Sequence, residues 1–137
     1  MSEDTSTKPL LKKIDCVQLP VADIESGLCF YKDRLGLELN WRTENSAGLR
    51  MPDDTSELVI YTEDRGKEID MLVDSADEAA TLFEAAGGKV VVQPFDIKIG
   101  RCVVVYDPWG NELVLLDMSK GSLKTDADGY VIDNKPS

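Results

Sequence analysis

The chain repeats itself. Gly36 and Gly88 each follow a helix-like stretch, 52 residues apart, and the same offset pairs Val21 with Val73, Phe30 with Leu82 and Tyr31 with Phe83. A repeat of this length constrains the fold more than any other feature. Each copy holds one helix and a few short strands, too little to bury its own sheet face, so the two copies must associate. In the first copy, residues 13–21 alternate loosely and are rich in Ile and Val, which predicts a strand. Ile24, Leu28, Tyr31 and Leu35 then fall on one face of a helix over 24–35, with Asp23 as N-cap and Gly36 as its stop. Three strands follow at 37–43, 47–51 and 57–62, separated by the turn-forming "ENS" and "PDDTS". The second copy opens with a strand at 67–74. Its helix is capped by Ser75, with Glu78 completing a capping box and Gly87-Gly88 ending it. Strands at 89–95, 101–107 and 111–117 complete it, the last two joined by the hairpin "DPWGN".

The expected fold is α+β, with two βαβββ modules (11–64 and 65–118) whose curved sheets enclose one cleft in a single domain over 11–118. Residues 1–10 are expected to be a flexible N-terminal tail. Residues 119–137 form a C-terminal extension in which Leu123, Tyr130, Val131 and Ile132 are apolar enough to pack on the sheet or on a dimer partner.

Charge and rare residues narrow the function. A net charge of −11 and a pI of about 4.4 argue against a nucleic-acid partner, which needs a clustered basic surface. No apolar run approaches the roughly 20 residues of a membrane span, and "MSEDTSTKPL" is too polar for a secretory signal. Cys16, Cys29 and Cys102 are odd in number and widely spaced with no CxxC, which fits a reducing cytoplasm better than a disulfide scaffold. The absence of histidine removes Ser-His-Asp and Cys-His nucleophile systems. It also removes the commonest transition-metal ligand.

Three stretches, "VQLPVADIESGLCFYKDRLGLEL", "LVDSADEAATLFEAAGGKV" and "YDPWGNELVLLD", resemble the glyoxalase/bleomycin-resistance/dioxygenase superfamily, also called vicinal oxygen chelate proteins. The helix end "FY-x-x-x-LG" and the hairpin "DP-x-GN" together carry the resemblance. It implies a divalent metal in the cleft, held by His, Glu or Gln from the first and last strands of each module and acting as a Lewis acid. Carried onto this chain, the first-strand position, seven residues before Asp23, is Cys16, and the 52-residue offset carries it to Glu68. Seven residues after Asp107 comes Val114, and the fourth position falls on Ile60 or Tyr61. Two donors fall short of the three protein ligands of an open catalytic site, so neither metal nor other cofactor is expected.

The period-2 rule places Gln18 with Cys16, Asp70 with Glu68 and Glu112 with Val114. Trp41 belongs to the cleft wall in this resemblance. The candidate ligand-binding set is therefore Cys16, Gln18, Trp41, Glu68, Asp70, Glu112 and Val114, with an acidic outer part and an apolar floor; no residue stands out as catalytic. Against this stand plainer readings, with Cys16 a small core residue and Asp70 and Glu112 solvated at strand ends. "TDADGYVID" lacks the third acid and the terminal Glu of a calcium loop. The expected function is a metal-free small-molecule-binding protein, a homodimer that sequesters a cationic or amphipathic compound as bleomycin-resistance proteins do. The alternative is a metal-dependent lyase or dioxygenase in which Glu68, Asp70 and Glu112 converge on Mn²⁺ or Mg²⁺. A regulatory or interaction module without a small ligand is the third class.

Overall fold

The computed structural model describes residues 8–136. The N-terminal tail expected over 1–10 thus lies largely outside the described residues. The first module comprises β1 (Lys13–Pro20), α1 (Ile24–Leu28), a π-helical turn (Cys29–Arg34), β2 (Glu38–Arg42), β3 (Ser46–Arg50) and β4 (Glu57–Tyr61). The second comprises β5 (Glu68–Leu72), α2 (Ala76–Ala85), β6 (Lys89–Ile97), β7 (Gly100–Tyr106) and β8 (Glu112–Leu116). All eight strands form one curved sheet in the order β2-β3-β4-β1-β5-β8-β7-β6.

The seam between modules is the antiparallel pair β1–β5. Cys16 lies opposite Asp70 and Gln18 opposite Glu68, a register that maps onto itself under the 52-residue offset. The repeat thus becomes a pseudo-twofold axis running between these two strands. Each module repeats one further contact, since β1 runs parallel to β4 and β5 parallel to β8.

Both helices lie on one face of the sheet. Ile24 and Leu28 of α1 pack on Ala47, Leu49, Leu58 and Ile60. Ala76, Ala79 and Ala80 of α2 pack on Val73, Val103, Val105 and Leu115. Asp23 and Ser75 cap these helices, accepting from the Ser26 and Glu78 backbone N–H at 2.7 and 3.2 Å. The first helix departs from its expected run over 24–35. After Leu28 it widens into a π turn, with Leu35 N–H donating to Phe30 O at 3.0 Å. The wider turn carries the chain off the α register, so Leu35 is 56% exposed instead of continuing the buried stripe of Ile24 and Leu28.

Residues past β8 form a two-stranded hairpin, β9 (Ser122–Thr125) and β10 (Val131–Lys135). Its turn is the acidic "TDADGYVID" segment. Asp126 Oδ1 accepts from the N–H groups of Asp128 and Tyr130, and Gly129 takes a φ of 90°. The hairpin leans on the edge strand β2. Arg42 N–H donates to Gly129 O at 2.8 Å, and the Arg42 guanidinium sits 4.7 Å from the Tyr130 ring centroid.

Candidate functional site

The face of the sheet opposite the helices lines a cavity of about 350 Å³. Alternation decides which residues reach it. Leu58, Ile60, Val103 and Leu115 point toward the helices, so Val59, Cys102, Val104, Val114 and Leu116 point into the cavity. Cys16, Gln18, Glu68 and Asp70 meet on the seam strands. Trp41 crosses from β2 over Gly48 of β3 and donates through Nε1 to Glu57 Oε2 at 3.0 Å. A Cβ at position 48 would collide with the Trp41 ring, so glycine is what allows the indole to lie there.

Four centrally placed side chains form one network. Gln18 Nε2 donates to Glu68 Oε2 and Asp70 Oδ2, each at 3.1 Å. The Cys16 thiol donates to Asp70 Oδ2 at 3.5 Å. From the loop between β4 and β5, Arg65 closes the network, donating to Glu68 Oε1 at 2.7 Å and Gln18 Oε1 at 2.8 Å. Its guanidinium lies 3.7 Å from the Tyr61 ring centroid, which fixes its position. Asp70 is only 6% exposed, and its Oδ1 has no partner. Burial, then the hydrogen bond and charge of Glu68, push its carboxyl up to about 9. Burial and the charges of Asp70 and Asp15 likewise push the Cys16 thiol far above its ordinary value. Cys102 is raised to about 12, by burial first and then by Asp70. Neither thiol is a thiolate nucleophile near neutral pH.

Two carboxylates that the period-2 rule missed also reach the cavity. A bulge in β1 between Ile14 and Cys16 leaves Asp15 as an extra residue, so it lines the cavity beside Cys16 instead of alternating away. Glu57 lies opposite Cys16 on β4 and accepts from Asn40 Nδ2 and Trp41 Nε1, each at 3.0 Å. Burial raises both carboxyls above their ordinary range.

Glu112 is the exception among the expected site residues. It begins β8 opposite Tyr106, exposed to solvent and outside the cavity, because the cavity-facing part of the strand starts at Val114. The polarity also differs from an acidic rim over an apolar floor, being divided sideways instead. Carboxylates come from β1, β4 and β5, while Phe95, Ile97, Ile99, Val104, Val114, Leu116 and the hairpin's Leu123 make the opposite wall apolar.

The structure also sets the register of β4. Asp70 pairs with Val114 in the second module, and its 52-residue counterpart Gln18 pairs with Val59 in the first. The fourth position is therefore Val59. Ile60 packs under α1, and the Tyr61 hydroxyl donates to the carbonyls of Arg65 and Gly66. The four ligand positions implied by the resemblance thus hold Cys16, Val59, Glu68 and Val114, and valine coordinates nothing. Glu112 does not join Glu68 and Asp70, so the alternative carboxylate set does not converge. Among the described residues, no group of three or more His, Cys, Asp or Glu side chains is arranged to hold a metal ion. These residues do not fit a divalent metal.

The family profile described as Glyoxalase/Bleomycin resistance protein/Dioxygenase superfamily matches residues 13–115, and the chain belongs to this superfamily. The fold agrees with solved structures. Methylmalonyl-CoA epimerase from Mycobacterium tuberculosis is 18% identical at a TM-score of 0.69, over 81% of this chain and 91% of that one. The Mn(II)-bound glyoxalase from Novosphingobium aromaticivorans is 20% identical at 0.58, over 93% of this chain and 42% of that one. An extradiol ring-cleaving dioxygenase from B. fuscum is 21% identical at 0.61, over 80% and 33%. At these identities the likeness is one of fold. A comparison with curated proteins gives no match. Among the described residues, no helix is long and apolar enough to cross a membrane.

Proposed function

We propose that this chain is a metal-independent small-molecule-binding protein that holds an amphipathic or cationic organic compound in the cleft. The observation that carries this reading is the pair Val59 and Val114 at equivalent places in the two modules, where a Lewis-acid site would need donors. Glu68 is paired with Arg65, and Gln18 bridges Glu68 and Asp70. The cavity volume is in the range of small-ligand sites, with one apolar wall and a few convergent polar groups. Its volume and lining support binding by apolar burial, with orientation set by polar contacts.

The test combines elemental analysis with ligand screening. Protein purified without chelator should contain no stoichiometric Mn, Fe, Ni or Zn. Compounds that raise its melting temperature should do so equally with and without EDTA. One tightly held metal per chain, or ligand binding abolished by EDTA and restored by a metal, would overturn the proposal.

A further inference from the structure

The cavity holds more carboxyl groups than ion pairs. Glu68 is paired with Arg65 at 2.7 Å. Asp15, Glu57 and Asp70 form no ion pair among the described residues. Lys13, whose charge acts on Asp15 and Glu57, donates its ammonium to Thr55 O at 2.6 Å. These three carboxyls surround one point. Glu57 and Asp70 lie opposite Cys16 on its two neighbouring strands, and the bulge places Asp15 next to it. All three line the cavity.

Asp70 is the independent sign of a missing partner. It lies on the cavity floor at 6% exposure, yet Gln18 and Cys16 both address Oδ2 and Oδ1 is left with nothing. A buried oxygen in this condition is costly unless something else supplies a donor. The other groups around Asp70 do not supply it. β1 presents Cys16, Gln18 and Asp15, β5 presents Glu68, β4 presents Glu57 and β7 presents Cys102, while β8 offers Val114 and Leu116. Arg65 is committed to Glu63, Glu68 and Gln18, and Lys13 acts on Asp15 and Glu57 by its charge without pairing with either.

Access is available on the side of Asp15 and Glu57. These two, with Trp41, Ile99 and Leu123, line both the inner cavity and an outer groove of about 400 Å³. They form a neck between the two spaces. A molecule entering from the groove passes the Asp15–Glu57 pair before its apolar part reaches Val104, Val114 and Leu116.

Resting on the reading of the cleft as a metal-independent binding site, we infer that its ligand is an organic ammonium compound. Its charged nitrogen is held at the neck by Asp15 and Glu57 over Asp70, and its hydrocarbon body lies against β7 and β8. The ammonium gives Asp15 and Glu57 a contact partner that Lys13 does not provide, and displaces the proton that Asp70 otherwise holds, in a partly desolvated place where charge-assisted hydrogen bonds are strong. The apolar wall selects for an uncharged body and against a second charge at that end.

Three probes that share one phenethyl body test this by titration calorimetry in low salt: phenethylamine, phenethyl alcohol and hydrocinnamate. The amine should bind about tenfold or more tightly than the alcohol, the carboxylate should not bind, and added salt should weaken the amine selectively. The double variant Asp15→Asn, Glu57→Gln should bring the amine down to the affinity of the alcohol, while the alcohol keeps its own affinity and reports that the pocket is folded. Asp70→Asn should weaken the amine less than the double variant does. Equal binding of amine and alcohol by the unmodified protein, a readout that needs no variant, would overturn the inference and leave the binding-site reading standing. Binding of none of the three would overturn both.

Discussion

Asp70 is a buried acid without a cation, and that makes it a pH-sensitive point in the molecule. Its carboxyl is raised to about 9 in the folded protein, by burial and then by Glu68, from an ordinary value of 3.8. Between those values the folded state binds a proton that the unfolded state releases. Stability from this group is therefore present in acid and is lost as pH rises toward 9. Asp15 and Glu57 are shifted in the same direction and add to the trend. Stability, and with it the melting temperature, should fall as pH is raised from 5 to 9, by up to about 1.4 kcal/mol per pH unit from Asp70. Asp70→Asn mimics the protonated acid and should flatten this dependence and raise stability at pH 8. Thermal melts of both proteins across pH are the check, and parallel curves would count against a protonated Asp70. None of this was legible from the pattern "EIDML", because it depends on what the neighbouring strands place beside the carboxyl.

One buried carboxylate anchors helix α2, and a looser set of contacts holds the C-terminal hairpin. Helix α2 is anchored by Asp117, 3% exposed, whose Oδ2 accepts from Ala76 N–H at 2.8 Å. Its Oδ1 accepts from Arg101 N–H and from the backbone and hydroxyl of Ser119. Burial pushes this carboxyl up, but the Ala76 N–H, then Ser119 and Arg101, outweigh it and hold it below its ordinary value. Asp117→Ala leaves buried donors unpaired and should destabilise the protein by about 3 kcal/mol in urea denaturation. The hairpin β9–β10 is attached more lightly, through Arg42, Tyr130 and the cavity-facing Leu123. Deleting residues 120–137 should cost only about 1–2 kcal/mol in stability. The same deletion should lower phenethylamine affinity severalfold by opening the wall that Leu123 forms, read by calorimetry on the truncated protein. The helix and strand positions were visible in sequence because caps, stops and alternation are local signals. The π turn after Leu28 was not, since an i+5 hydrogen bond leaves no distinct pattern in "CFYKDR".

At the scale of the whole molecule, the seam β1–β5 makes two modules one sheet. Each module carries one tryptophan, Trp41 in the first and Trp109 in the second. If the seam couples them, Trp41→Phe and Trp109→Phe variants should each report, through the remaining indole, an unfolding midpoint equal to that seen by circular dichroism. Two separated midpoints would mean that the modules unfold independently. Trp109 is 83% exposed, so its signal change will be the smaller.

The amino-acid sequence alone determined the repeat, the α+β class and the order of elements, because each rests on local periodicity, capping and turn chemistry read over short windows, and it carried the superfamily as a resemblance through "FY-x-x-x-LG" and "DP-x-GN". It also placed Cys16, Gln18, Glu68, Asp70 and Val114 on one face, since alternation along a strand follows from backbone geometry. Tertiary structure decided the rest. The bulge that turns Asp15 inward, the register that puts Val59 where Ile60 or Tyr61 was expected, and the end of the cavity short of Glu112 are all set by which strands lie side by side. The division of charge to one side of the cleft and hydrocarbon to the other has the same origin. Pairing between strands distant in sequence depends on the packed whole, and a one-residue change in register exchanges the two faces of a strand.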